Sequence, residues 1–184
     1  MGETKVLLHT CCAPCSSAII EALLQNGITP IIYYCNPNIY PQEEYEIRKN
    51  ECTRYAQSLG LEIVDADYDH DNWLAEMKGL ECEPERGGRC LKCFKLRLLR
   101  TAQYAAQRGI KVITTTLASS RWKSLDQINE AGNWAVKDIC PAVIWWDQNW
   151  RKGGLQERRL QIIKEYDFYN QLYCGCEFSM RKDV

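Results

Sequence analysis

The chain has 184 residues, a formal net charge of −1 and 46% hydrophobic residues. This is the size of one globular domain with a substantial core, and the ordinary composition argues against a disordered or fibrous protein. Its apolar runs are far shorter than the roughly 18 residues of a membrane-spanning helix, and the N-terminus lacks the features of a secretory signal, so we expect a cytoplasmic protein with no membrane partner.

Strand-like and helix-like patterns alternate along the chain. Strands are predicted at 5–10, 30–35, 61–64 and 111–117, and helices at 18–26, 41–58, 72–78, 90–108, 124–137 and 158–171. This alternation predicts βαβ units with a parallel sheet flanked by helices, so the fold class is α/β and the architecture is Rossmann-like. Ligands of such sheets bind beyond the carboxyl ends of the strands, where the loop after the first strand lies.

The chain contains eleven cysteines. In a reducing compartment such a number is typical of metal or redox sites rather than of a disulfide framework. Cys11, Cys12 and Cys15 follow the first strand at the start of a helix, where N–H groups and the helix dipole stabilise thiolates. Cys90 and Cys93 form a CxxC pair at the start of another helix. The two clusters can supply four thiolates to an iron–sulfur cluster, although zinc or inert buried thiols fit the same local pattern.

A further pair, Cys174 and Cys176, is separated by one glycine near the end of the chain. A disulfide across so short a span would be strained and easily reduced, which suits an electron relay. Two unpaired thiols on a loose tail are the alternative.

Charged residues are segregated along the chain. Residues 43–85 contain 13 acidic and 4 basic residues, whereas residues 86–128 contain 10 basic residues and 1 acidic residue. The basic residues around the CxxC pair and after the strand at 111–117 are Arg86, Arg89, Lys92, Lys95, Arg97, Arg100, Arg121 and Lys123. Such a segment favours phosphate binding, although two solvated faces of different charge would give the same pattern. Trp122, between two basic residues, is the tryptophan that we expect to stack on an unpaired base rather than to lie in the core.

Four motifs follow one another over nearly the whole chain. They are LHTCCAPCS (8–16), RGGRCLKCF (86–94), TTTL (114–117) with SRWKS (120–124), and CGCEFS (174–179). Together they resemble the epoxyqueuosine reductase QueH family. The resemblance implies a fold similar to the nucleotide alpha-hydrolase branch of Rossmann-like proteins. It also implies a single catalytic domain over residues 1–184, with a redox-active cysteine segment around 174–176.

The activity implied by the resemblance is the reduction of epoxyqueuosine in the anticodon loop of tRNA to queuosine, the last step of queuosine biosynthesis. The implied cofactor is a [4Fe-4S] cluster with the ligands Cys11, Cys12, Cys90 and Cys93. The implied redox-active disulfide joins Cys174 and Cys176. Cys15 either replaces Cys12 as a ligand or holds an additional iron, and the sequence leaves both open.

These features predict how a tRNA substrate would bind and be reduced. We expect Arg86, Arg89, Arg121 and Lys123 to contact the substrate, whose modified base enters a pocket at the strand ends, while an external electron donor supplies the electrons. A zinc-stabilised tRNA-binding module without redox activity is the alternative, but it does not explain the tight C-terminal cysteine pair. A metal-free thiol–disulfide oxidoreductase is a third interpretation.

Overall fold

A computed structural model describes residues 4–137 and 139–180, so the remaining residues of the predicted domain, 1–3, 138 and 181–184, lie outside the described residues. The described strands are β1 (Thr4–Thr10), β2 (Ile28–Tyr34), β3 (Ile63–Asp65), β4 (Val112–Thr115) and β5 (Ile144–Trp145). They form one parallel sheet in the order β3-β2-β1-β4-β5. The described α-helices are α1 (Ala13–Gln25), α2 (Gln42–Ser58), α3 (His70–Glu76), α4 (Gly88–Gln107), α5 (Leu125–Lys137) and α6 (Leu155–Tyr166). The predicted α/β Rossmann-like fold is confirmed.

The centre of the sheet is the most deeply buried part of the chain. Leu7 and Leu8 of β1 have no exposed surface, and Leu8 lies in register with Ile32 of β2 and Thr114 of β4. A strand that is covered on both faces has a continuous apolar sequence rather than an alternating one. Residues 6–8 of β1 show this continuous pattern. The chain reverses its direction of winding between β1 and β4, so the carboxyl ends of these two strands define the crevice in which ligands bind to this fold.

Helices α1 and α6 and strand β5 differ most from the sequence-based prediction. Helix α1 begins at Ala13 rather than at 18, because Pro14 occupies the first turn, so Cys15 lies inside the helix. Helix α6 covers 155–166 rather than 158–171 and ends where Asp167 adopts a left-handed conformation with φ 51°. Strand β5 was not predicted. Its two residues are too few to show a strand period.

None of the helices in the described ranges is long and apolar enough to cross a membrane.

Candidate metal centre and active-site cavity

Three thiols converge at the carboxyl end of β1. The sulfur atoms of Cys11, Cys12 and Cys15 all lie within 4.8 Å of one another, and those of the first two are 3.8 Å apart. Cys12 occupies the N-cap position of α1, so the first turn of the helix brings Cys15 back beside the strand end. The three residues can hold a metal ion. The group includes Cys15, for which the sequence left two roles open: a ligand that replaces Cys12, or the holder of an additional iron.

Neighbouring side chains fix these thiols from two directions. Thr116, which follows β4, has its hydroxyl 3.4 Å from the sulfur of Cys11 and accepts a hydrogen bond from the main-chain N–H of Cys11 at 3.3 Å. Gln171 donates from Nε2 to the sulfur of Cys12 at 2.8 Å. The thiol group is therefore held both by the adjacent strand end and by the C-terminal segment of the chain.

Cys11 and Cys15 open into a cavity of about 320 Å³ that is lined by several separate parts of the chain. The cysteines that line it are Cys11, Cys15, Cys90, Cys174 and Cys176. Among the described residues, its lining also carries six cationic side chains, those of Arg48, Arg86, Arg89, Arg97, Lys123 and Arg159, and one carboxylate, that of Glu85. The structure thus brings all three cysteine motifs of the sequence to one cationic cavity.

The CxxC pair lies at the start of α4. Cys90 is half-buried, and the main-chain N–H of Arg86 donates to its sulfur at 3.4 Å. Cys93 lies one turn deeper, 7% exposed, in a small apolar cluster with Trp73, Met77 and Cys176. Burial raises the pKa of both thiols, that of Cys93 to about 11. The contribution of these two residues to a metal centre stays a prediction.

Arg97 carries a positive charge into the core beside the thiols. It is 2% exposed, its Nη2 donates to Asn36 Oδ1 at 2.6 Å, and its Nη1 lies 3.9 Å from the sulfur of Cys93. Its partners are an amide, a thiol and, through Nε, a main-chain carbonyl rather than a carboxylate. Burying a cation costs free energy unless an anion offsets its charge. Metal-bound thiolates would supply that negative charge beside Arg97.

The electrostatic environment favours a thiolate at Cys11. Hydrogen bonds from the thiols of Cys12 and Cys15 hold the pKa of Cys11 well below its usual value, and the charges of Lys123 and Arg97 act in the same direction against burial. The same hydrogen bonding with Cys11 raises the pKa of Cys15 to about 12, and burial raises the pKa of Cys12. Deprotonated sulfur is the form that binds metals.

His9 is a buried structural part of this site. It is fully buried, and burial together with the charge of Arg97 lowers its pKa to about 3. The neutral ring donates from Nε2 to the carbonyl of Cys35 at 2.9 Å and accepts from the Thr115 hydroxyl at Nδ1, 2.7 Å away. It therefore ties the end of β1 to both neighbouring strands.

The C-terminal cysteine pair faces the cavity on a pinned segment. All eleven cysteines lie in the described ranges as free thiols, Cys174 half-buried and Cys176 buried. The glycine between them has φ 130°, and its carbonyl accepts from the N–H of Tyr40 at 2.8 Å. The segment is thus part of the folded domain, while the redox role of the pair stays a prediction.

The predicted basic residues do not all lie on one open surface. Arg86, Arg121 and Lys123 lie on or beside the cavity mouth. Arg89 and Arg97 are each 2% exposed, so these two residues do not belong to an open basic surface. Arg89 instead donates to the main-chain carbonyls of residues 80, 81 and 83. Both line the cavity from inside, so a substrate contact there stays a prediction.

Other predicted cations are paired away from the cavity. Lys92 forms an ion pair with Glu76 at 3.0 Å, and Lys95 forms one with Glu130 at 2.9 Å. Arg100 donates to a main-chain carbonyl at 3.2 Å. Exposed pairs of this kind leave less charge free for phosphates than the sequence count suggested.

Sequence reasoning missed two cations of the site. Arg159 of α6 donates from Nε to the carbonyl of Pro14 at 2.8 Å, and Arg48 of α2 holds the C-terminal segment. Arg48 stands in an acidic stretch, four residues after Glu44, where it reads as an ordinary helical ion pair. No local signal in the sequence distinguishes either residue.

Comparison with known proteins identifies the family of the chain. The sequence profile described as "Epoxyqueuosine reductase QueH" matches residues 6–182. A curated protein of that name from Histophilus somni is 49% identical over 180 residues, which cover 98% of this chain and 74% of the relative. One from Acinetobacter baylyi is 49% identical over 96% of this chain and 81% of the relative, and one from Thermotoga maritima is 33% identical over 95% and 90%. The chain therefore belongs to the epoxyqueuosine reductase QueH family.

Proposed function

We propose that this protein is an epoxyqueuosine reductase that acts on epoxyqueuosine in the anticodon loop of tRNA and forms queuosine. Membership of the QueH family supports the reaction. The observation that carries the proposal is the cavity in which thiols from three parts of the chain face six cations and one carboxylate. Thiols supply redox and metal chemistry, and the cations suit a polyanionic substrate.

The reaction is a two-electron reduction. Both carbon–oxygen bonds of the epoxide break, a carbon–carbon double bond forms, and the oxygen leaves as water after taking up two protons. The two electrons come from a low-potential one-electron carrier that acts as the external donor. A one-electron donor and a two-electron reaction require a group on the protein that stores one electron or more between transfers.

A metal cofactor fits the thiol-rich side of the cavity. We assign Cys11, Cys12, Cys90 and Cys93 as ligands of a [4Fe-4S] cluster, with Cys15 as the ligand that replaces Cys12 or holds an additional iron. When bound, such a cluster supplies one-electron transfer at low potential. The buried charge of Arg97 and the half-buried ammonium of Lys123 favour bound thiolates there.

The Cys174 and Cys176 thiols are assigned as the second redox group. On forming a disulfide they release two electrons and two protons, which are the quantities that removal of the epoxide oxygen consumes. The external donor then returns two electrons, and two protons are taken up to restore the dithiol. Both residues line the cavity, so the pair can reach a substrate held there.

Basic side chains at the mouth would position the RNA. We assign Arg86 and Lys123 of the cavity lining, and Arg121 beside Trp122, as phosphate contacts, with Arg89 as a further contact inside the cavity. Burial lowers the pKa of Lys123, but interaction with the sulfur atoms of Cys174 and Cys11 outweighs it and the pKa is raised, so the ammonium stays charged. Phosphate contacts fix register, while the modified base is selected inside the cavity.

Anaerobic purification with iron, sulfide and zinc analysis, followed by turnover of epoxyqueuosine-containing tRNA with dithionite-reduced carrier, tests the proposal. We expect brown protein that bleaches on reduction and forms queuosine. More iron than sulfide would support the second iron at Cys15. Colourless zinc protein that accepts no iron or sulfide and leaves the epoxide intact would overturn the assignment in favour of a binding module.

Variants separate the two groups of cysteines. Cys93→Ala should lose the iron, whereas Cys174→Ala should keep it and lose turnover. Cys140→Ala is the matched control, because Cys140 is also buried, 6% exposed, and lies outside the three motifs. Full iron and turnover in Cys93→Ala would reject the ligand assignment, and unchanged turnover in Cys174→Ala would reject the relay.

A further inference from the structure

Two large apolar side chains stand exposed on a cavity that is otherwise strongly cationic. Trp122 is 68% exposed and Leu172 is 89% exposed, and both line the cavity that contains the thiols. Scattered exposed apolar side chains are ordinary, but large ones that share one concave site mark a binding surface. One comes from the segment after β4 and the other from the C-terminal segment, so separate parts of the chain contribute to the same mouth.

The loop that carries Trp122 is fixed by two arginines. The four consecutive main-chain carbonyls of residues 120–123 each accept a hydrogen bond from a guanidinium. Arg86 donates to two of them, at 2.7 and 2.9 Å, and Arg151 donates to the other two, at 2.7 and 2.8 Å. A loop that is ordered before binding loses little conformational entropy when a ligand docks. The exposed indole is therefore presented on a preorganised backbone.

Leu172 is also held by its neighbours. Gln171 donates to the sulfur of Cys12 at 2.8 Å, and the carbonyl of Tyr173 accepts from Arg48 at 3.2 Å. Leu172 thus lies between a neighbour anchored through its side chain and a neighbour anchored through its main chain, while its own side chain is almost fully exposed. Such an arrangement gives Leu172 no evident packing role in the fold.

The surroundings define what such a surface binds. The guanidinium of Arg121 lies over the Trp122 ring, 5.1 Å from its centroid, so a cation covers one face of an indole that is still 68% exposed. Unpaired RNA alternates phosphates with flat bases, and aromatic side chains bind such bases by stacking while cations track the backbone. An acidic peptide would satisfy the charge but offers no such base for the indole.

We propose that Trp122 is a stacking platform for an unpaired nucleobase of the RNA loop, and that Leu172 is a second apolar contact at the same mouth. The inference rests on the proposed function for the identity of the RNA. It adds a contact that is independent of the cluster and of the thiol relay. Truncating the ring leaves the loop intact, because Arg86 and Arg151 hold main-chain atoms and not the indole.

Binding of an unmodified RNA hairpin with the anticodon stem and loop tests this directly. Trp122→Ala should weaken binding about tenfold, as removal of one base-stacking aromatic does, while Trp122→Phe keeps most of the affinity. Trp134→Ala is the matched control, since Trp134 is 38% exposed beside Lys95 but lies on α5 away from the cavity lining. Equal losses in Trp122→Ala and Trp134→Ala, or none in Trp122→Ala, would overturn the proposal.

Salt dependence separates stacking from charge. Trp122→Ala should leave the slope of log Kd against log salt unchanged, whereas Arg121→Gln should reduce it by about 0.7, the value for one phosphate contact on a single strand. A paired duplex without the loop should bind Trp122→Ala and wild type equally. Equal losses on the hairpin and the duplex would refute base stacking, and an equal loss on a polyglutamate peptide would assign the surface to an acidic protein.

Turnover separates this inference from the proposed function. If the wild type reduces epoxyqueuosine and Trp122→Ala has the same KM and the same hairpin affinity, the stacking contact is wrong and the reductase stands. If Trp122→Ala loses hairpin affinity while the iron-loaded, reduced wild type leaves the epoxide unchanged, the stacking contact stands and the reductase assignment fails.

Discussion

Arg48 donates a hydrogen bond from Nη1 to the main-chain carbonyl oxygen of Cys174 at 3.1 Å. The same guanidinium donates to the carbonyl of Tyr173 at 3.2 Å and to Oε1 of Glu44 at 2.8 Å. Because Arg48 is 3% exposed, these bonds are largely shielded from water and gain strength. Helix α2 thus holds the main chain of the segment that brings Cys174 and Cys176 to the cavity.

Replacing Arg48 by lysine should therefore reduce turnover about tenfold without removing iron, since an ammonium cannot donate in the same fork. Iron content, turnover and the rate of Cys174 alkylation measure the effect, and alkylation should become faster. Arg54→Lys is the control, because Arg54 lies on the same helix and also donates to a main-chain carbonyl, that of Tyr166. If Arg48→Lys loses iron in proportion to activity, Arg48 supports the metal site instead.

Gly175 provides a second way to disturb the same segment. Its φ of 130° is rarely adopted by residues with a side chain, and an added Cβ would lie 3.0 Å from Cγ1 of Ile39 and 3.3 Å from Nη1 of Arg48. Gly175→Ala should lower turnover and keep the iron. Gly109→Ala is the control, because Gly109 also has a positive φ, 67°, but lies in open space; its backbone strain of about 1–2 kcal/mol should leave turnover unchanged. Normal turnover in Gly175→Ala would show that the pair tolerates displacement.

Arg97 should be needed to retain metal. Its buried charge has a thiol, an amide and a carbonyl as partners, so the proposed metal-bound thiolates would be its counter-charge. Arg97→Gln removes that charge, and we expect iron to be lost several-fold faster to a chelator. Arg100→Gln on the same helix is the control, since its guanidinium binds a surface carbonyl. Equal rates of iron loss in the two variants would show that the charge does not support the cluster.

Most of the fold could be read from the sequence because long periodic segments carry strong signals. Helix α4 is an example, since Phe94, Leu98, Thr101 and Ala105 recur at helical spacing and are buried. Arg97 follows the same helical spacing, so the periodicity predicts that it is buried. The run of basic residues around it, however, favours a position on the surface. Strand order depends on contacts between distant segments, which no local pattern contains.

The candidate site was only partly predictable for the same reason. Cysteine is rare and its motifs are closely spaced, so the thiols that line the cavity could be identified individually from the sequence. The side chains that hold them come from far along the chain. Gln171 reaches Cys12 across 159 positions, and Arg48 reaches Cys174 across 126. Neither residue differs locally from an ordinary surface residue.

Gly132 of α5 should be intolerant of any side chain. An added Cβ would lie 2.2 Å from the ring atoms of Trp145 on β5. Gly132→Ala should therefore cost about 1–3 kcal/mol, although alanine is the better helix former. Urea unfolding measures the loss. In a Trp145→Ala background the same change should cost less, and an equal cost in both backgrounds would place its origin elsewhere.

Glu21 and Arg158 should give stability a defined pH dependence. Arg158 of α6 donates to both carboxylate oxygens of Glu21 on α1, at 2.7 and 2.8 Å, and these bonds lower the pKa of Glu21 below its usual value of about 4.5. A lowered folded-state pKa means that the unfolded chain binds the proton more readily, so the stabilisation is complete above the unfolded value and is lost as pH falls through the folded one.

Glu21→Gln should therefore be less stable than wild type in urea at neutral pH, and the difference should shrink below about pH 4.5 as Glu21 becomes protonated. The effect is modest because the pair is partly exposed and screened by salt. In an Arg158→Gln background the glutamine substitution should have little effect at either pH. A difference between Glu21→Gln and wild type that stays constant from neutral to acidic pH would contradict the ion pair as its cause and point to packing between α1 and α6.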